Sequence, residues 1–116
     1  METAEKQRFI QEFVPGKQIT LAHVIANPDA RLCPKLGLSP DQRGALGILT
    51  ITPSEGAIIA ADVATKASGV EIGFVDRFSG SLLILGPLAD VESAMPVIVS
   101  ALESILGFTP APITRT

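Results

Sequence analysis

The chain has 116 residues, enough for one domain around one core. Hydrophobic residues make up 47% of it and charged residues 18%, more apolar side chain than a monomer of this size readily hides, so burial between subunits is expected. Its 9 basic and 12 acidic residues leave a net charge of −3, with no basic stripe or interleaved aromatics, which argues against nucleic acid as a partner.

Residues 1–8 are polar and charged, with no apolar stretch of signal-peptide length, so export is not expected. Phe9, Ile10, Phe13 and Val14 then recur at helical spacing, although the stretch is short for a stable isolated helix. Residues 18–26 read as a strand buried on both faces. Ile19, Leu21, His23 and Ile25 lie on one side, Thr20, Ala22, Val24 and Ala26 on the other. Pro15-Gly16 marks the turn before it, and Asn27-Pro28 ends it because proline has no N–H to donate. Residues 29–36 are expected as a short helix closed at Gly37.

A second strand over residues 45–51 leads into Thr52 as a helix cap, Pro53 at the first helical position and Glu55 as the partner in a capping box. The helix that follows runs to Gly69, with Ile58, Ala61 and Thr65 along one stripe and Ala57, Ala61 and Ala64 beside it. Its alanines permit close packing on a sheet. Residues 70–75 and 82–85 are apolar runs joined by a polar connector containing Gly80, an antiparallel hairpin. From residue 88 to 106, Val91, Ala94, Ile98, Leu102 and Ile105 recur with helical spacing; Pro96 should kink this helix and Gly107 stop it. The proline-containing tail over residues 108–116 should be extended. The order is that of an α+β fold near the ferredoxin-like group, two main helices against an antiparallel or mixed sheet.

Chemistry-bearing clusters are missing from the pattern. His23 is the only histidine and has no nucleophile or metal-ligating partner at a recognisable spacing, so a packed strand histidine is the better reading. The single Cys33 cannot close an internal disulfide, which fits a reducing cytosol, and lacks the companions an iron–sulfur cluster needs. Residues 44–47 match neither glycine-rich phosphate pattern. No catalytic residue, metal or cofactor is assigned, and no apolar run approaches bilayer length.

From residue 45 to 107 the chain resembles the bacterial microcompartment shell domain. Ala45-Leu46-Gly47-Ile48-Leu49 is similar to that family's opening strand, Ala60-Ala61-Asp62-Val63-Ala64-Thr65-Lys66-Ala67 to its first helix with an edge lysine, and Phe78-Ser79-Gly80-Ser81 to its pore hairpin. In the commoner members a strand with a motif like Val-His-Val-Ile-Pro-Arg-Pro comes last. Here Ala22-His23-Val24-Ile25-Ala26-Asn27-Pro28 resembles it but precedes residue 45, so the chain looks circularly permuted, like the shell proteins of propanediol and ethanolamine utilisation. Residues 10–18 and 76–80 resemble the same subfamily, and residues 112–116 its propanediol type.

The resemblance implies an N-terminal extension over residues 1–17 and a permuted shell domain over residues 18–116. It implies a homohexamer tiling with other shell hexamers and pentamers around metabolic enzymes, in the cytoplasm, with encapsulated or docking proteins as further partners. Phe78, Ser79, Gly80 and Ser81 would border the axial pore. Lys66 would form the contact between hexamers, with Asn27 in place of the family's strand-end arginine. Phe9, Ile10, Gln11, Glu12, Phe13 and Val14 would form a strand of a small β-barrel over one end of the pore. An oligomeric small-ligand-binding regulatory α+β domain is the other class that the size and fold allow.

Overall fold

A computed structural model describes residues 16–67 and 69–116. Expectations for the segment from Phe9 to Val14 lie outside these residues. Five strands and three helices follow one another: β1 (Gln18–Ile25), α1 (Leu32–Lys35), β2 (Ala45–Thr52), α2 (Gly56–Thr65), β3 (Glu71–Asp76), β4 (Ser81–Gly86), α3 (Leu88–Leu106) and β5 (Ile113–Arg115). The sheet order is β3-β4-β2-β1-β5. All neighbours are antiparallel except β5, which runs parallel to β1. The expected mixed sheet is therefore present, and the extended tail contributes its last strand.

The central strands are apolar without alternation because both faces of the sheet are covered. In β4, Leu82 and Ile84 join one core with Leu49 and Ile51 of β2, Ala60 and Ala64 of α2, and Met95, Ile98 and Leu102 of α3. Leu83 and Leu85 turn the other way and join Leu38 and Leu46, with Leu32, Cys33 and Leu36 packed against them. Fully burying side chains of this size contributes roughly 1.5–3 kcal/mol each. The two helices hold one face, and α1 with its flanking loop holds part of the other.

Three local expectations change. In β1 the pairing with β2 slips between Ile19 and Leu21, and such a bulge reverses the alternation beyond it. Ile19 thus shares the helix-covered core with Ala22 and Val24, and Leu21 and Thr20 are exposed. At α2 the capping box does not form. The amides of Gly56, Ala57 and Ile58 bond instead to the carbonyls of Pro53, Ser54 and Glu55, which satisfies the donors a cap would serve, and the helix begins at Gly56 with no side-chain cap. The stripe α2 buries is Gly56, Ala57, Ala60 and Ala64; Ile58 and Ile59 face outward. The short helix expected over residues 29–36 shrinks to Leu32–Lys35, because the Asp29 carboxylate takes the Arg31 amide in a local turn ahead of it. Helix α3 spans Leu88–Leu106 with Pro96 inside it and Gly107 in the left-handed conformation at its end.

Candidate functional site

The pairing register gives the sheet two distinct ends. Gln18 opposite Thr52, Thr50 opposite Ser81, and Asp76 opposite Ser81 put the β3–β4 hairpin, the start of β1 and the end of β2 together. Ile25 opposite Leu46, Ala45 opposite Gly86, and Glu71 opposite Leu85 define the far end. Helix α2 starts just after Thr52 and returns to the far end before β3 begins. Lys66, its C-cap, and Asn27, just past β1, therefore share the end opposite the hairpin.

The hairpin is built from the turn upward. The Asp76 carboxylate accepts the backbone amides of Phe78 at 2.9 Å and Ser79 at 3.3 Å. These hydrogen bonds, the Phe78 amide first, hold the Asp76 carboxyl below its ordinary pKa. Gly80 is buried, with φ at 80° and its carbonyl accepting the Ile51 amide at 2.9 Å. A Cβ there would overlap the Ile51 carbonyl oxygen. Its glycine is thus required inside the subunit, by the left-handed turn and the close approach of β2. Ser79 Oγ donates to Ser81 Oγ at 3.1 Å. Phe78 is 82% exposed, with the Arg77 guanidinium 4.9 Å from its ring centroid. Of the four expected pore residues, Phe78 and Ser79 are the exposed ones.

At the far end Lys66 Nζ donates to Asp62 at 2.9 Å, an exposed pair within one helix. Asn27 is exposed and borders a cavity of about 700 Å³ with Cys33, Leu38, Arg43 and Leu88 among its walls. Cys33 is a free, half-buried thiol. His23 meets Thr114 Oγ1 at 2.6 Å through Nδ1 and Thr116 Oγ1 at 2.9 Å through Nε2, so both ring nitrogens are engaged in fastening β5 to β1. Among the described residues no cluster of three His, Cys, Asp or Glu side chains is placed to hold a metal ion, and no helix is long and apolar enough to cross a membrane.

Sequence reasoning did not single out Asp76 as the residue that holds the hairpin turn, although an aspartate two residues before a free amide is a recognised turn signal. It also missed the outward position of Ile58 and Ile59, which helical periodicity alone could not assign to a face. It left open the contacts of Lys17, whose Nζ donates to the Leu106 carbonyl at 3.1 Å and whose own carbonyl accepts the Thr109 amide.

Comparison with known proteins follows the same outline. The chain is 55% identical over 109 residues to the bacterial microcompartment shell protein PduU of Salmonella typhimurium, covering 94% of this chain and 93% of that one. It is 53% identical over 112 residues to the shell protein EutS of Escherichia coli, covering 97% and 99%. Among solved structures it superimposes on the CutR flat hexamer with a TM-score of 0.82 at 46% identity, over 89% of this chain and 93% of that one. The family model that matches begins at β2, so β1 precedes it in sequence yet lies inside the sheet between β2 and β5. With that model covering residues 45–114, the chain belongs to the BMC domain family.

Proposed function

We propose that this chain is a structural, non-catalytic shell subunit of a cytoplasmic bacterial microcompartment, working as a homohexamer. The observation that carries this reading is the polarity of the subunit. Its hairpin with exposed Phe78 and Ser79 stands at one end, and Lys66 with Asn27 stands at the other. Six copies with hairpins inward would line an axial opening and present their lysines at the perimeter, free to meet other shell hexamers and pentamers.

Gly16 and Lys17 lie beside the hairpin end of the sheet, just ahead of Gln18 opposite Thr52. This position supports assigning residues 1–17 as an extension over the pore, where Phe9, Ile10, Gln11, Glu12, Phe13 and Val14 would form the barrel. Similarity to PduU and EutS at 55% and 53% identity supports diol or amine utilisation as the enclosed chemistry. Both relatives are shell proteins, which sets aside the regulatory-domain alternative.

Native mass spectrometry of the purified chain, followed by negative-stain imaging at rising concentration, tests the reading. Discrete hexamers that grow into flat sheets or curved arrays are expected. A monomer or dimer that binds small metabolites and never extends would overturn it.

A further inference from the structure

The cavity of about 700 Å³ at the end of the sheet opposite the hairpin lies between the chain leaving β1, helix α1, the loop ahead of β2 and the first residue of α3. Small-molecule sites occupy about 300–1,000 Å³, so it has the size of a binding pocket. Leu38 and Ala45 are its buried lining residues, Cys33 and Leu88 are half-buried, and Asn27 and Arg43 are exposed. Apolar depth therefore lies beneath a polar rim.

Arg43 is the one charged residue of the lining. Its Nε donates to the Pro40 carbonyl at 3.1 Å, which orients the guanidinium. Among the described residues its terminal nitrogens have no hydrogen-bond partner and no carboxylate pairs with it. The carboxylates around the loop are engaged elsewhere. Asp41 accepts Ser39 Oγ at 2.7 Å, Glu71 accepts Gln42 Nε2 at 3.1 Å, and Asp29 holds Arg31 at 2.7 Å. The loop that carries Arg43 is also braced on both sides. Gln42 Oε1 accepts the Ser39 amide at 2.8 Å. Gly44 has φ at 124°, and a Cβ there would overlap the Gly86 carbonyl oxygen, so the main chain after Arg43 lies directly on the end of β4. A rim cation held this way needs little ordering when a ligand arrives.

A planar guanidinium with its terminal nitrogens unoccupied matches a carboxylate, which it can bind through two parallel hydrogen bonds. One positive charge balances one negative charge. A phosphate dianion would bring a second that nothing in the lining neutralises, and the apolar walls call for a hydrocarbon body. We propose that this pocket binds a small organic monoanion, an aliphatic carboxylate, with its head group on Arg43 and its chain over Leu38 and Leu88. The site uses neither the hairpin nor Lys66, so it goes beyond the shell reading and does not rest on it.

The test titrates the purified chain with butyrate, hexanoate and octanoate by isothermal titration calorimetry. In parallel, alkylation of Cys33 by iodoacetamide is timed; this is the single thiol of the chain and a wall of the pocket. Affinity should rise by about tenfold for each two carbons added, and saturating octanoate should slow Cys33 alkylation severalfold. Arg43→Gln, at an exposed position, should weaken octanoate binding about tenfold with far-UV circular dichroism unchanged, and Arg43→Lys should recover part of the loss. 1-Octanol should bind more weakly than octanoate. The proposal is overturned by any of four results: no octanoate binding, binding that leaves Cys33 alkylation unchanged, equal affinity in Arg43→Gln, or equal affinity for 1-octanol. A Cys33 that iodoacetamide cannot reach in the ligand-free assembly would overturn it as well, by showing that a neighbouring copy fills the pocket.

Discussion

The β3–β4 hairpin and the C-terminal end of α2 project exposed side chains from opposite ends of the sheet, and they are anchored differently. The hairpin stands on the rest of the subunit: Gly80 is buried against the Ile51 carbonyl, bonded to the Ile51 amide, and packed near Ser54. Among the described residues Lys66 is held only by its own helix, through the Asp62 carboxylate and the Val63 carbonyl. A change at the hairpin therefore disturbs folding together with any role at an axis, and a change at Lys66 leaves folding alone. The two proposed contact places need different experiments for that reason.

The largest effect is expected beneath the hairpin. Phe108 is buried, and its ring lies where a Cβ on Gly56 would touch it, next to Ile51. Phe108→Ala should destabilise the chain by about 3–5 kcal/mol, as truncating a buried aromatic does, measured by urea unfolding. Gly80→Ala follows. The left-handed φ costs roughly 1–3 kcal/mol for a residue with a Cβ, and the overlap with main chain adds to it. If Gly80→Ala unfolds at the same urea concentration as the parent, the hairpin is less firmly anchored than its contacts indicate. Bulky replacements at Gly80 are thus poor probes of a pore; Phe78→Ala, at an exposed position, is the better one.

Much of this contrast was legible in the sequence, and the parts that were not have identifiable causes. The apolar run over residues 82–85 and the helical spacing from Val91 to Leu102 set the strand and helix of the core because they are long and regular. The turn after Thr52 misled, since Thr-Pro-Ser-Glu has the composition of a capping box, while the amides it would serve are bonded to carbonyls three residues back. The alternation of β1 misled after Ile19 because a bulge depends on the partner strand and leaves no mark in the strand itself. Of the site, the hairpin and Lys66 were legible through family resemblance. The reason for Gly80 was not, because its neighbour in space is Ile51, from a separate stretch of chain.

A smaller effect should appear at acid pH. The hydrogen bonds from Phe78 and Ser79 lower the folded-state pKa of the exposed Asp76 carboxyl. The stability it adds is present above the pKa of the unfolded carboxyl and is lost as pH falls through the lower folded value, below about pH 4. Asp76→Asn should therefore narrow the stability difference between pH 6 and pH 3 relative to the parent, in urea titrations at both pH values. A parent and variant with the same acid dependence would show that the carboxylate does not fix the turn in solution.

The smallest effect on folding, and the most informative for assembly, is expected at Lys66. An exposed ion pair between residues four apart on a helix contributes about 0.3–0.5 kcal/mol, and here the two side chains are 74% and 62% exposed. Lys66→Ala should leave the thermal midpoint almost unchanged and the hexamer intact in native mass spectra, because the pair it removes is exposed and lies within one helix. The proposed perimeter contact predicts a separate loss. A lysine stem can lie along an apolar neighbour while its ammonium reaches carbonyl oxygens, so removing it should raise the concentration at which hexamers extend into sheets under negative stain. Asp62→Ala supplies the control: it removes the same intrahelical pair and leaves the lysine free to reach a neighbour. If both substitutions slow sheet growth equally, the ion pair is what matters. If Lys66→Ala alone slows it, the lysine acts across the tile edge, and sheets that form as readily as those of the parent would end that assignment.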